Sequence, residues 1–225
     1  MAAYSKTTVT PGDAATATFA NAVQTQYDCV VTEAAAGHIP VHANALTNTI
    51  SSARLPSRYA SVFLSATGGT PTTTSGCAPA ARLELTTNDI MLTTLDFDGT
   101  AIEYACWTFA LPDGYIAGTT VDATFYWTAA SGSGGVVWGI SGRAIANDGA
   151  LDQALGTAAE ATDTLITAND VHVTSAATVT LAGSPAGGQI VVFKVYRDPT
   201  DGSDTMGTDA KLLGVKLEYA TSYGD

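Results

Sequence analysis

From about residue 59 onward, apolar and polar residues alternate with a period of two, the spacing of a strand that lies with one face on a core. In the run 121–127, residues 121, 123, 125 and 127 share one face. In 211–219, Leu213, Val215, Leu217 and Tyr219 form an apolar row with Lys216 and Glu218 opposite. The same reading predicts strands over 60–65, 82–87, 90–97, 101–110, 119–129 and 135–146. Further strands are predicted over 161–167, 171–181, 189–196 and 211–219.

Turn residues divide these runs. Gly68-Gly69, Asp113-Gly114, Gly134-Gly135 and Gly187-Gly188 mark tight turns, and Asp98-Gly99 between two strand-like runs predicts a hairpin. Short strands at this spacing, with no helices between them, predict a mainly β fold: a jelly-roll-like antiparallel β-sandwich.

The first 58 residues have a different rhythm. Pro11-Gly12-Asp13 is a turn signal, and Asp13 is placed to cap a helix over 14–36. Phe19, Val23, Tyr27 and Val30 or Val31 recur at helical spacing, and Gly37 supplies the stop. Residues 38–58 carry Pro40 and Pro56 among small polar residues and read as an extended arm. The expected organisation is a helix-containing arm for anchoring and oligomerisation, 1–58, followed by a β-sandwich domain, 59–225.

Composition sharpens this picture. Apolar residues make up 46% of the 225, enough for a core, while charged residues make up only 13%. Ala, Thr, Gly and Ser each bury little area, so burial against sister chains or a partner is expected to add stability. The net charge of −12 comes with scattered cations, which argues against nucleic-acid binding and against an anionic membrane surface. No apolar run approaches the roughly 20 residues of a membrane span. The opening MAAYSKTTVT lacks the apolar stretch of a signal peptide. Folding in a cytoplasm is the expectation. Cys29, Cys77 and Cys106 are widely spaced, show no metal-ligand pattern and are expected to be reduced.

Candidate chemistry is sparse. No nucleophile elbow, zinc-protease helix, phosphate loop or dinucleotide fingerprint occurs, and no cofactor is expected. His38 and His42 are the candidate metal ligands, but Pro40 between them forbids the helical turn that would align the pair. His172 reads as a strand residue and Cys106 as a small buried hydrophobe. The acidic segment 198–204 could offer oxygens to calcium, yet its spacing is not that of an EF-hand, and a solvated loop with Asx turns is preferred. Asp96 and Asp98 resemble paired carboxylates but are accounted for by the turn. Tyr104, Trp107, Tyr126, Trp127 and Trp138 form an aromatic-rich centre, read as core or subunit interface, with a carbohydrate-binding face as the alternative.

Three stretches carry a resemblance: Asp113-Gly114-Tyr115-Ile116-Ala117-Gly118-Thr119, Phe125-Tyr126-Trp127-Thr128-Ala129 and Gly135-Val136-Val137-Trp138. With Val191 to Asp198 and Ala210 to Tyr219, they resemble the β domain of tailed-bacteriophage virion proteins, over roughly residues 60–220. That group resembles trimeric jelly rolls displayed on particles. The resemblance implies a non-enzymatic homotrimer in the virion, assembled in the host cytoplasm. It would act as a head decoration or cement protein on the major capsid protein or other virion proteins. A short tail or collar fibre, or a baseplate protein that recognises the host surface, is the alternative. A carbohydrate-binding module is the rival from another class. Phe19, Val23 and Tyr27, with Arg54 and Arg58, are the expected interface residues. Fibre relatives carry an HxH metal motif; His38 and His42 stand four apart, so no metal site carries over.

Overall fold

A computed structural model describes residues 58–222. Twelve strands fill it: β1 Arg58–Ser65, β2 Thr70–Pro71, β3 Ala81–Leu85, β4 Ile90–Phe97, β5 Glu103–Ala110 and β6 Val121–Thr128. They continue as β7 Gly134–Ile145, β8 Ala159–Leu165, β9 His172–Val173, β10 Ala177–Val179, β11 Ile190–Arg197 and β12 Ala210–Thr221. One short 3-10 turn, Ala66–Gly68, follows β1.

The strands form two sheets. The seven-stranded sheet runs β10-β6-β12-β4-β3, with β1 on β12 beyond the end of β4 and β9 on β6. The five-stranded sheet runs β2-β5-β11-β7-β8. Every strand pairing is antiparallel. From β4 the chain winds between sheets, so β4, β6, β10 and β12 interleave in one and β5, β7, β8 and β11 in the other. That winding is a jelly roll.

Alternation explains which residues enter the core. From the first sheet come Phe97, Val121, Ala123, Phe125, Trp127, Leu212, Val215 and Leu217; from the second come Trp107, Trp138, Ile140, Val191, Phe193 and Val195. Trp138 is the hub. Phe97 meets it edge-on at 5.2 Å, Phe125 lies parallel at 6.0 Å, and Trp127 is tilted at 6.4 Å. Such aromatic pairs add to the area they bury.

Four expectations are corrected by this architecture. Asp98-Gly99 does not close a hairpin, because β4 and β5 belong to different sheets; the Asp98 carboxylate instead accepts from the Thr100 amide and hydroxyl and the Ala101 amide, turning the chain across the sandwich. The run 171–181 is two short strands, β9 and β10, rather than one. Arg58 belongs to the sandwich, since it opens β1 opposite Thr221. In β12 a register shift between Leu212 and Gly214 makes Leu212 the buried residue and leaves Leu213 half-buried. The bulge takes only Leu213 out of the expected apolar row; Val215, Leu217 and Tyr219 are buried as expected.

Candidate functional site

On the outer face of the five-stranded sheet, register aligns residues that are distant in sequence. Tyr196 on β11 stands opposite Tyr104 on β5 and Gly139 on β7, and Gly139 stands opposite Glu160 on β8. A transverse row Tyr104–Tyr196–Gly139–Glu160 therefore crosses four strands. The glycine makes the row possible: a Cβ there would lie 2.2 Å from the Tyr196 ring. Lying over the bare backbone, Tyr196 donates its hydroxyl to Glu160 Oε1 at 2.7 Å. Burial and that carboxylate hold the phenol well above its ordinary pKa. Tyr104 packs on Tyr196 at 5.9 Å between ring centres, and Lys194 Nζ sits 4.7 Å above the Tyr104 ring.

The outer face of the seven-stranded sheet carries a second row. Ser65, Gly214, Tyr126 and Val173 are in register across β1, β12, β6 and β9. Phe63, two residues before Ser65, lays its ring over Gly214, where a Cβ would come within 2.4 Å, and meets Tyr126 edge-on at 5.6 Å. Phe63 is 51% exposed, Val173 46%, and Tyr59 on the same face of β1 73%. Polar pairs flank the row: Lys216 with Glu218, and Thr178 donating to Asp122 at 2.7 Å. At the far end of β1, Arg58, Tyr59, Pro112 and Tyr219 border an open depression of about 270 Å³.

The sequence candidates are dispersed by the fold. Trp107, Trp127 and Trp138 are core residues. Tyr104 and Tyr126 lie on the outer faces of different sheets, so the aromatic-rich centre does not form one binding face. His172 is buried on β9, 5.0 Å from the Trp127 ring, and its Nε2 lies 3.0 Å from the Thr167 carbonyl. Asp96 takes Lys211 and the Thr94 hydroxyl, while Asp98 makes its turn, so the two carboxylates do different work. Hydrogen bonds from Thr100 hold the Asp98 carboxyl below the usual carboxylate range.

In the acidic segment, Asp198 and Asp201 make the expected Asx turns with Thr200 and Ser203. Asp204 does not stay solvated: it is buried against Arg197. Among the described residues no group of three or more His, Cys, Asp or Glu is arranged for a metal ion. Cys106 is half-buried on the outer face of β5 rather than in the core, and burial raises its thiol pKa. Cys77 is buried, and its thiol is pushed up to about 12. Both thiols are thus held protonated at neutral pH, which leaves them poor nucleophiles. Phe19, Val23, Tyr27, Cys29, His38, His42 and Arg54 lie outside the described residues.

Sequence reasoning missed Phe63, Lys194, Tyr196 and Glu160 as surface groups. Their outward positions follow from strand alternation. Their meeting depends on register between strands separated by up to 150 residues, and a single sequence carries no signal for that.

No family model matches the chain, and no curated protein matches it. Among solved structures, a Clostridium thermocellum endo-1,4-beta-D-xylanase 10B fragment (CBM22-1–GH10 modules with xylohexaose) aligns at 13% identity and a TM-score of 0.42. That alignment covers 72% of this chain and 28% of the xylanase fragment, so this chain spans under a third of its length. The CBM22-2 xylan-binding domain of Paenibacillus barcinonensis Xyn10C aligns at 12% identity and 0.42, over 70% of this chain and 98% of that one. A family 11 carbohydrate-binding module from Clostridium thermocellum aligns at 10% and 0.34, over 76% and 91%. At these identities and TM-scores, none of the three assigns a ligand or an activity to this chain.

Proposed function

We propose that this chain is a non-enzymatic structural subunit of a tailed-phage particle, a β-sandwich that works by packing against other subunits. The observation that carries the assembly part is a cluster on the outer face of the seven-stranded sheet, where the half-exposed Phe63 meets Tyr126 edge-on and the exposed Val173 stands in register with Tyr126. Aromatic and aliphatic side chains gathered on one surface and rimmed by charges mark a contact surface. The virion setting rests on the strand-and-turn resemblance over residues 60–220. Decoration of the head is the proposed position, and repetition over a shell turns weak contacts into firm attachment.

The test is location. An antibody raised against the full chain should label purified particles under the electron microscope, at the shell for a decoration protein or at the tail for a fibre or baseplate component. A chain found only free of particles overturns the proposal.

A second reading, carbohydrate recognition, is favoured by the Tyr104–Tyr196 row, where two aromatic rings lie beside the Lys194 and Glu160 polar groups. Ring faces and convergent polar groups are the means by which sugars are held. Under this reading the full chain binds immobilised glycans and Tyr104→Ala with Tyr196→Ala abolishes the binding. A silent glycan array removes it.

A further inference from the structure

The β3–β4 hairpin ends in a second group of aliphatic residues, separate from the core. Register places Leu83 opposite Leu92 and Leu85 opposite Ile90. All four therefore share one face of the hairpin. None belongs to the core cluster or packs against it. Ile90 is 47% exposed, and its neighbour Met91, on the opposite face, 51%.

β3 is also the edge of the seven-stranded sheet. One side pairs with β4, and the other has no strand partner among the described residues. An unpaired edge is a template for another strand.

The sequence of that edge is Ala81-Arg82-Leu83-Glu84-Leu85. Set antiparallel against itself about a two-fold axis through Leu83, it is complementary. Leu83 meets Leu83 of the second copy, Arg82 meets Glu84, Glu84 meets Arg82, and the Ala81 and Leu85 positions face each other. Arg82 and Glu84 are both exposed, and neither has an ion-pair partner among the described residues. Directly opposed opposite charges and aliphatic pairs stabilise a sheet, and like charges in those places oppose it. A two-fold contact uses the same patch on both copies, which requires this kind of self-complementarity.

We propose that the β3 edge is a two-fold contact between copies of this chain, joining their seven-stranded sheets into one continuous sheet. The contact aligns the four aliphatic residues of each hairpin along one face of a β4–β3–β3–β4 ribbon. It deepens the self-packing reading above, yet it uses a different strand from the Phe63–Tyr126 face, so either can fail alone.

Sedimentation velocity of the full chain tests it, with charge variants at exposed positions that have little effect on folding. Glu84→Arg sets Arg against Arg82 of the second copy twice per contact, and should halve the mass of the wild-type species. Arg82→Glu combined with Glu84→Arg swaps both partners and should restore it. Leu83→Cys should cross-link to itself under mild oxidation, because opposed strand positions lie about 4.5–5.5 Å apart, within disulfide reach. Arg82→Cys, whose mate is position 84, should cross-link far less. A wild-type chain that stays monomeric overturns the contact, as does a Glu84→Arg chain with unchanged mass. In the latter case the particle-location test still decides the proposed function.

Discussion

The guanidinium of Arg197, at the end of β11, grips the carboxylate of Asp204 with contacts of 2.8 and 2.9 Å, and the two side chains are 0% and 1% exposed. The same guanidinium donates to the carbonyls of Thr208, at 2.6 Å, and Met206. Asp204 in turn accepts the Val137 amide at 3.0 Å. The β11–β12 loop is thereby tied down on β7 and on its own exit.

Removing one member of such a pair leaves a buried charge alone, a loss of about 3–5 kcal/mol. Asp204→Ala should lower the unfolding free energy by that order in urea titration. Arg197→Met should cost a similar amount, because it strands the carboxylate. A loss below about 1 kcal/mol for both would mean that the loop is not held by this pair.

Gly69 illustrates a different constraint. Its φ of −79° suits any residue, so backbone conformation does not call for glycine. Space does: a Cβ would lie 2.4 Å from the Trp107 indole and 2.5 Å from the Leu95 side chain. Both neighbours are buried, and the indole is fixed further by its N–H bond to the Ser65 carbonyl at 2.9 Å. Gly69→Ala should destabilise by about 1–3 kcal/mol through overpacking. Gly202→Ala, with nothing within 4 Å of its Cβ position, should be close to neutral in the same denaturation assay.

The buried thiol of Cys77 predicts the alkaline limit of stability. Burial, with Glu103 nearby, moves its pKa from 9.0 to about 12. Between those values the unfolded chain releases the proton and the folded chain keeps it, so stability falls as pH rises. Tyr196, also raised, acts in the same direction above pH 10. The melting temperature should decline from about pH 9 upward, and Cys77→Ala should flatten that decline relative to its own value at neutral pH. An equal slope in the variant would remove Cys77 as the cause.

The strands were legible because each is a local pattern. The run Ile90–Phe97 matches its expected bounds, and 121–127 buries the side it was expected to bury. What local patterning could not supply was pairing. Asp98-Gly99 looks like a hairpin in any window of ten residues, and only the placement of β5 beside β11 reveals it as a crossing between sheets. Leu213 satisfies strict alternation, yet the register shift between Leu212 and Gly214, where β12 pairs with β6, leaves it half-buried. The Tyr104–Tyr196–Glu160 row was invisible for the same reason, being a product of register. The β-sandwich was inferable from the number of short strands and the lack of helices between them, whereas the jelly-roll winding is a matter of pairing and is seen in the order of the strands in the two sheets.

Two core indoles should respond unequally to the same substitution. Trp127 donates its Nε1–H to Asp163 Oδ2 at 3.0 Å, from one sheet to the other. Trp138, wholly buried, has no partner for its Nε1–H among the described residues. A hydrogen bond to a charged group is worth about 1.5–3 kcal/mol, whereas deleting an unsatisfied donor removes a desolvation cost of about 1–3 kcal/mol. Trp→Phe trims volume at both positions. At position 127 the packing loss adds to the lost bond and to a carboxylate left with one partner fewer. At position 138 the packing loss is offset by removal of the stranded N–H. Trp127→Phe should therefore destabilise by at least about 1 kcal/mol more than Trp138→Phe in paired chemical denaturation curves. Asp163→Asn, which keeps an acceptor for the indole, should retain much of the difference. If Trp138→Phe costs as much as Trp127→Phe, the inter-sheet bond contributes no net stability and the core is held by shape alone.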